Sequence, residues 1–338
     1  MIDHRSCGSD VLVPILTSAN DPKRTFNRRP EGRMMRHAII LLMLVPISMP
    51  AVAWKVSNSS VNTEYHEAFS AITGDGLTMY ISSDRPGGHG PAVKGIFFGA
   101  ASYDIYVTHR ESLNSPWGPV ANLGSNINTS ATEHSPMLSP DGHYLYFASS
   151  RSSGFGGEDI YRSYRDDVGD DQGWGEPLNL GAGVNGPYVE SCPVLHVSED
   201  GSAQLFYVQA SGPDLVLLDF KVSHLNAKTN TFMASKTVEI STPGFDAHID
   251  PWHGLIWGDQ YPGGIGGGDI WRTERIEGDY DLTKSWTTPV NLGPEINTEY
   301  EEQMPSATTN GSRLFFMSDR PGGQGGMDIY EAVNEATN

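Results

Sequence analysis

The chain has 338 residues, 38 of them Gly and 22 Pro, with 38% hydrophobic residues and a formal net charge of −19. That length suits one large all-β domain or two ordinary ones, and the Gly and Pro content points to short strands joined by tight turns. Such acidity excludes nucleic acid and anionic membrane surfaces as partners, because phosphate binding needs a basic patch.

Residues 1–33 read as a leader, with Met34 or Met35 a natural start. Residues 34–53 read as a secretory signal peptide: basic residues at Arg33–His37, an apolar run at Ala38–Ile47, and an A-x-A site at Ala51–Ala53. The run is too short for a comfortable membrane span. Cleavage after Ala53 is expected, leaving no integral membrane segment and a periplasmic or extracellular protein. Residues 54–338 are more acidic still, since the first 53 residues hold seven Lys/Arg against four Asp/Glu. Beyond residue 53 the only cysteine is Cys192. An internal disulfide and a cysteine zinc cluster are thereby excluded.

From Trp54 onward the chain is written in repeats. The second reads EHSPMLSPDGHYLYFASSRSSGFGGEDIY from Glu133, and the last EQMPSATTNGSRLFFMSDRPGGQGGMDIY from Glu302. The others start at Glu67, Glu190 and Asp246, giving intervals of 66, 57, 56 and 56 residues. Extra residues at His89–Ser102 lengthen the first interval. A second signature follows most units: WGPVANLGSNINT at Trp117, WGEPLNLGAGVN at Trp174 and WTTPVNLGPEINT at Trp286. Each unit supplies four strand-like runs: one from the acid to the DG turn, an LYF-like run, a DIY-like run, and one at PVNLG. In the third unit the DIY-like run is worn to Asp214-Leu215-Val216. Four strands repeated five times predict an all-β, five-bladed β-propeller over residues 54–338. The fifth unit ends before any Trp-Pro-Asn-Leu-Gly segment, and WKVSNSSVNTEYHE from Trp54 matches that missing piece. The N-terminal strand should therefore complete the last blade and close the ring, leaving no exposed blade edge.

The pattern E-x-x-P-x-x-S-x-D-G-x-x-L-Y-F-x-S-x-R-x-G-G-x-G-G-x-D-I-Y resembles the WD40-like propeller repeat of TolB-type proteins. The chain departs from TolB in having five repeats rather than six and no separate N-terminal domain. The resemblance implies a propeller that serves as a docking platform in the cell envelope. On that basis the expected function is a monomeric binding or scaffold protein whose partner is a protein, glycan or cell-wall component. Glycoside hydrolases are the rival class, because five-bladed propellers also carry enzymes whose paired carboxylates act as acid and as base or nucleophile.

The acids Glu67, Glu133, Glu190, Asp246 and Glu302 open the predicted inner strands and could ring one mouth of the channel. Their oxygens would suit Ca²⁺, though no cofactor is required by the pattern. Recurrence in every blade argues that they cap or brace the blades instead. Arg85 and Asp104, Arg151 and Asp159, and Arg320 and Asp328 bracket Gly-rich hairpins and are expected to pair within their blades. The sharper candidates lie where repeats disagree. In the fourth unit DAHIDPWHG brings His248, Asp250, Trp252 and His253 next to Asp246, and His66 and His134 flank other ring acids. That unit also has Tyr261 in place of the arginine. No P-loop, G-x-S-x-G elbow or HExxH is present.

Overall fold

The computed structural model describes residues 53–89, 102–198, 200–211, 216–239, 246–249, 254–274 and 286–335. The leader, the signal segment, residues 90–101 of the first-blade insertion and Asp214-Leu215 lie outside the described residues. All described elements are strands. In chain order β1 (Trp54–Asn58) precedes the first blade of β2 (Glu67–Ile72), β3 (Thr78–Ser83), β4 (Asp104–His109) and β5 (Ala121–Asn122). The second blade is β6 (Glu133–Leu138), β7 (Tyr144–Ser149), β8 (Asp159–Tyr164) and β9 (Leu178–Asn179). The third has longer strands, β10 (Val189–Val197), β11 (Ala203–Ser211) and β12 (Val216–Asn226), then β13 (Thr231–Phe232) and an added β14 (Lys236–Thr237). The fourth is β15 (Asp246–Ile249), β16 (Leu255–Asp259), β17 (Asp269–Thr273) and β18 (Val290–Asn291). The last contains β19 (Glu302–Ala307), β20 (Arg313–Ser318) and β21 (Asp328–Asn334).

Each blade is an antiparallel meander, and the fifth is ordered β1-β21-β20-β19. Strand β1 runs antiparallel to β21 from Trp54 opposite Asn334 to Asn58 opposite Tyr330, so the N-terminal strand closes the ring as its sequence predicts. The inner strands touch in a full circuit, β2 to β6 to β10 to β15 to β19 and back to β2.

Period-2 alternation explains why the middle of each blade's second strand carries apolar residues on both faces: each face is buried against a neighbouring blade. In β3, Met79 and Ile81 pack with Phe315 and Ile329 of the fifth blade, while Tyr80 packs with Leu145 and Phe147 of the second. In β7, Tyr146 turns the other way, towards Leu205 and Tyr207 of the third. Phe206 and Trp257 continue the pattern between the third and fourth blades.

Polar devices repeat with the blades. Asn128 accepts from the Ile105 N–H at 2.8 Å and donates to its carbonyl at 2.9 Å, tying the loop that leaves a blade to that blade's third strand. Asn185 does the same with Ile160 and Asn297 with Ile270. Asn62 does it with Ile329, 267 residues away, so the closure reproduces the ordinary joint. At the fourth-to-fifth joint, a Cβ on Gly258 would lie 2.5 Å from Gln303 Cα, so only glycine allows β19 its close approach.

Candidate functional site

Three ring acids are committed to a shared network. Glu133 is fully buried; it accepts from the Thr129 N–H (2.7 Å) and hydroxyl (2.8 Å) and from the Ser149 hydroxyl (2.7 Å). Arg151 adds an ion pair at 3.3 Å and a bond to the Ile127 carbonyl at 2.8 Å. Glu67 has the same set in Thr63, Ser83 and Arg85, and Glu302 in Thr298, Ser318 and Arg320. Burial raises the Glu67 carboxyl above its ordinary range; the Thr63 hydroxyl and Arg85 offset only part of that. In the third blade Glu190 accepts from Gly186 N–H and Gln209 Nε2, with the amide standing where the arginine network is absent, and burial again raises its carboxyl.

The expected arginine–aspartate pairing is corrected. Each guanidinium reaches back to the ring glutamate, because the Ser two residues before it holds its Nε at 2.9–3.1 Å and turns it towards the axis. The aspartates brace the Gly-rich hairpins. Asp159 accepts from the Phe155 N–H and from Asn179 Nδ2, both at 2.6 Å; Asp104 is held by His89 and Asn122, and Asp328 by the Gln324 and Gly325 N–H groups.

In the fourth blade this machinery is replaced. The backbone of Asp246 opens β15, but its side chain and that of His248 lie outside the described residues, as do Asp250, Trp252 and His253 entirely. At the end of β16, where three other blades place Ser83, Ser149 and Ser318, stands Asp259; where they place arginine stands Tyr261. With no guanidinium to neutralise it, the half-buried Asp259 carboxyl is raised above its ordinary range by burial, and the neighbouring Glu301 raises it further. The Gln260 N–H donates to it at 2.7 Å. Glu301 comes from the loop entering β19 and accepts from Gln303 Nε2 at 3.0 Å. Beside Asp259, Tyr261 packs edge-on to Trp271 with centroids 4.9 Å apart, and the Trp271 indole donates to the Asp259 carbonyl. Two unlike carboxyls next to an aromatic pair can perform acid–base chemistry on a ligand with an apolar face. Sequence reading flagged Tyr261 and passed over Asp259 and Glu301. The visible signal was LIWGDQY where the other units read LYFASSR or LFFMSDR.

Of the two histidines beside ring acids, His66 receives the Met327 N–H on Nδ1 at 3.3 Å, and His134 lies between Glu158 and Ser135. Among the described residues no group of three or more His, Cys, Asp or Glu is placed to hold a metal ion.

No family model matches the chain, and no curated protein matches it. Solved structures do. The catalytic domain of a family 62 α-L-arabinofuranosidase from Coprinopsis cinerea is 11% identical, with TM-score 0.53 over 85% of this chain and 99% of that one. An endo-arabinase from Bacteroides thetaiotaomicron is 12% identical, with TM-score 0.52 over 82% and 97%. A thermostable family 43 glycoside hydrolase is 7% identical, with TM-score 0.54 over 82% and 92%. TolB from Acinetobacter baumannii aligns at TM-score 0.42 and 13% identity, over 80% of this chain and 55% of that one. The expectation of a non-enzymatic scaffold is corrected by these neighbours, because the three of them with TM-scores above 0.5 are glycoside hydrolases. At such identities the likeness establishes the five-bladed fold alone.

Proposed function

We propose that the protein is a glycoside hydrolase whose acid–base carboxyls sit at the fourth-to-fifth joint of the propeller. The carrying observation is Asp259 with Glu301 beside it: Asp259 stands where three other blades place the serine of the network they keep. Glycosidic cleavage needs one carboxyl that still holds a proton and a second that is ionised as base or nucleophile. Burial and the Glu301 charge favour the protonated form of Asp259, which suits it to protonate the leaving oxygen. Tyr261, partly exposed and backed edge-on by the buried Trp271, offers a face for a sugar ring to stack on. In this reading the repeats are WD40-like units of the TolB type, a placement supported by the recurring SDRPGG and DIY motifs. The protein works outside the cytoplasm, a reading supported by the basic, apolar and small-residue order of residues 33–53.

The substrates named for the fold neighbours make the first test: arabinan, arabinoxylan and an aryl α-L-arabinofuranoside, followed by reducing-sugar and aryl release. Release that falls by about 10²–10⁴-fold in Asp259→Asn supports the assignment. A folded protein that releases nothing from any of these, or an Asp259→Asn variant as active as the parent, overturns it.

A further inference from the structure

The second blade breaks the repeat at three neighbouring positions. His134 follows the ring acid where other blades have Ala68, Ser191 and Gln303; Ser135 stands where they have Cys192 and Met304; and Glu158 precedes the third strand where they have Tyr103, Gly268 and Met327. These side chains form a line. Glu158 Oε2 lies 3.0 Å from His134 Nε2, and His134 Nδ1 lies 2.8 Å from Ser135 Oγ. Ser135 Oγ in turn is 3.7 Å from Cys192 Sγ in the third blade.

The backbone places Ser135 for this contact. The inner strand bulges between His134 and Met137, taking Ser135 and Pro136 out of the ladder with β7. Ser135 adopts φ 53°, as Cys192 (53°) and Met304 (52°) do in their own bulges. A non-glycine residue there costs about 1–3 kcal/mol and re-aims its side chain. Three blades share the conformation, so it belongs to the architecture, but only in blade two does it hold a hydroxyl against an imidazole backed by a carboxylate. Burial alone would raise the Glu158 carboxyl; the charge and hydrogen bond of His134 outweigh it and leave the group below its ordinary range. When His134 is neutral, Glu158 still accepts the Nε2–H, which fixes the tautomer and leaves the Nδ1 lone pair facing the Ser135 hydroxyl.

We propose that Ser135, His134 and Glu158 form a second active centre, a nucleophile, base and orienting acid that hydrolyse a carboxylic ester of a small acyl group such as acetyl. Ser135 Oγ bonds to the ester carbonyl carbon as its proton passes to His134 Nδ1. The ester C–O bond then breaks, the alcohol leaves with that proton, and the acyl group remains on Ser135. Water, deprotonated by His134, attacks the acyl-serine and releases the acid and the free serine. Ser135 is only 5% exposed, which limits the acyl part to a small group.

The test treats the full chain with a fluorophosphonate probe and, separately, with p-nitrophenyl acetate, reading adduct mass, labelled peptide and p-nitrophenol release. One adduct per chain on Ser135 is expected, with turnover that falls about 10²–10⁴-fold in His134→Gln. Ser135→Gly, which suits φ 53°, should keep the parent's melting temperature and lose both adduct and turnover. No adduct on the native protein, an adduct on Cys192 in place of Ser135, or turnover that persists in Ser135→Gly would each overturn the proposal.

Discussion

Ring closure by the N-terminal strand makes a quantitative demand on one side chain. Asn62 is buried; it accepts from the Ile329 N–H at 2.9 Å and donates to the Ile329 carbonyl and to Asn58 Oδ1, each at 2.8 Å. In Asn62→Ala the Ile329 carbonyl still receives the Ser59 N–H at 3.0 Å, so the N–H alone is orphaned. An unsatisfied buried N–H costs about 1–3 kcal/mol, and the lost donor bonds add about 1 kcal/mol, giving roughly 2–4 kcal/mol in all. Asn128→Ala is the internal control, because the Ile105 carbonyl likewise keeps a backbone donor, Leu123 N–H at 3.1 Å. Denaturant unfolding followed by tryptophan fluorescence should place the two variants within about 1 kcal/mol of each other. The matching fall in melting temperature is roughly 3–7 °C, given the unfolding entropy of a domain this size. If Asn62→Ala matches the parent while Asn128→Ala loses its full share, the N-terminal strand is not part of the last blade in solution and the reasoning fails.

Arg320→Ala should be more damaging than an ordinary surface change. It leaves Glu302, fully buried and 2.9 Å from that guanidinium, without its counter-charge, at a cost of about 3–5 kcal/mol; adding Glu302→Gln should restore part of it, measured by the same unfolding curves. Glu67 predicts a pH effect. Its folded carboxyl sits above the ordinary 4.5, so the folded state holds the proton more tightly than the unfolded one. That contribution is fully present below 4.5 and is lost as pH rises through the raised value; Glu67→Gln should flatten stability against pH across that window, and an unchanged slope would contradict it. For Asp259, raised above 3.8, the alkaline limb of any glycosidase activity should reflect loss of its proton and disappear in Asp259→Asn.

Much of the fold was legible because a propeller writes its architecture once per blade. The recurring DG, DIY and NLG motifs gave the blade count, and the match of the Trp54 and Trp286 segments gave the closure. Partners within a blade were less legible. The arginine and aspartate that bracket each hairpin looked like a pair, but the serine beside the arginine turns it inward to the ring glutamate, a direction that spacing along the chain does not encode. The resemblance to docking propellers led to a scaffold, whereas the folded chain superposes on glycoside hydrolases, since blade repeats describe a frame that many chemistries share.

By itself the sequence determined the strand pattern, the number of blades and how the ends meet, because alternation and turn residues act over a few neighbours and repeat in every unit. Only the tertiary structure decided which polar groups are architecture and which stand apart from it. Glu133 and Asp259 look alike as acids on an acidic chain. One is buried beside a guanidinium; the other is half-buried near Glu301 with no guanidinium in its network. Glu158, His134 and Ser135 come into line because a bulge and a loop meet at the inner edge of one blade. Desolvation and through-space charge set those differences, and both depend on neighbours that are distant along the chain.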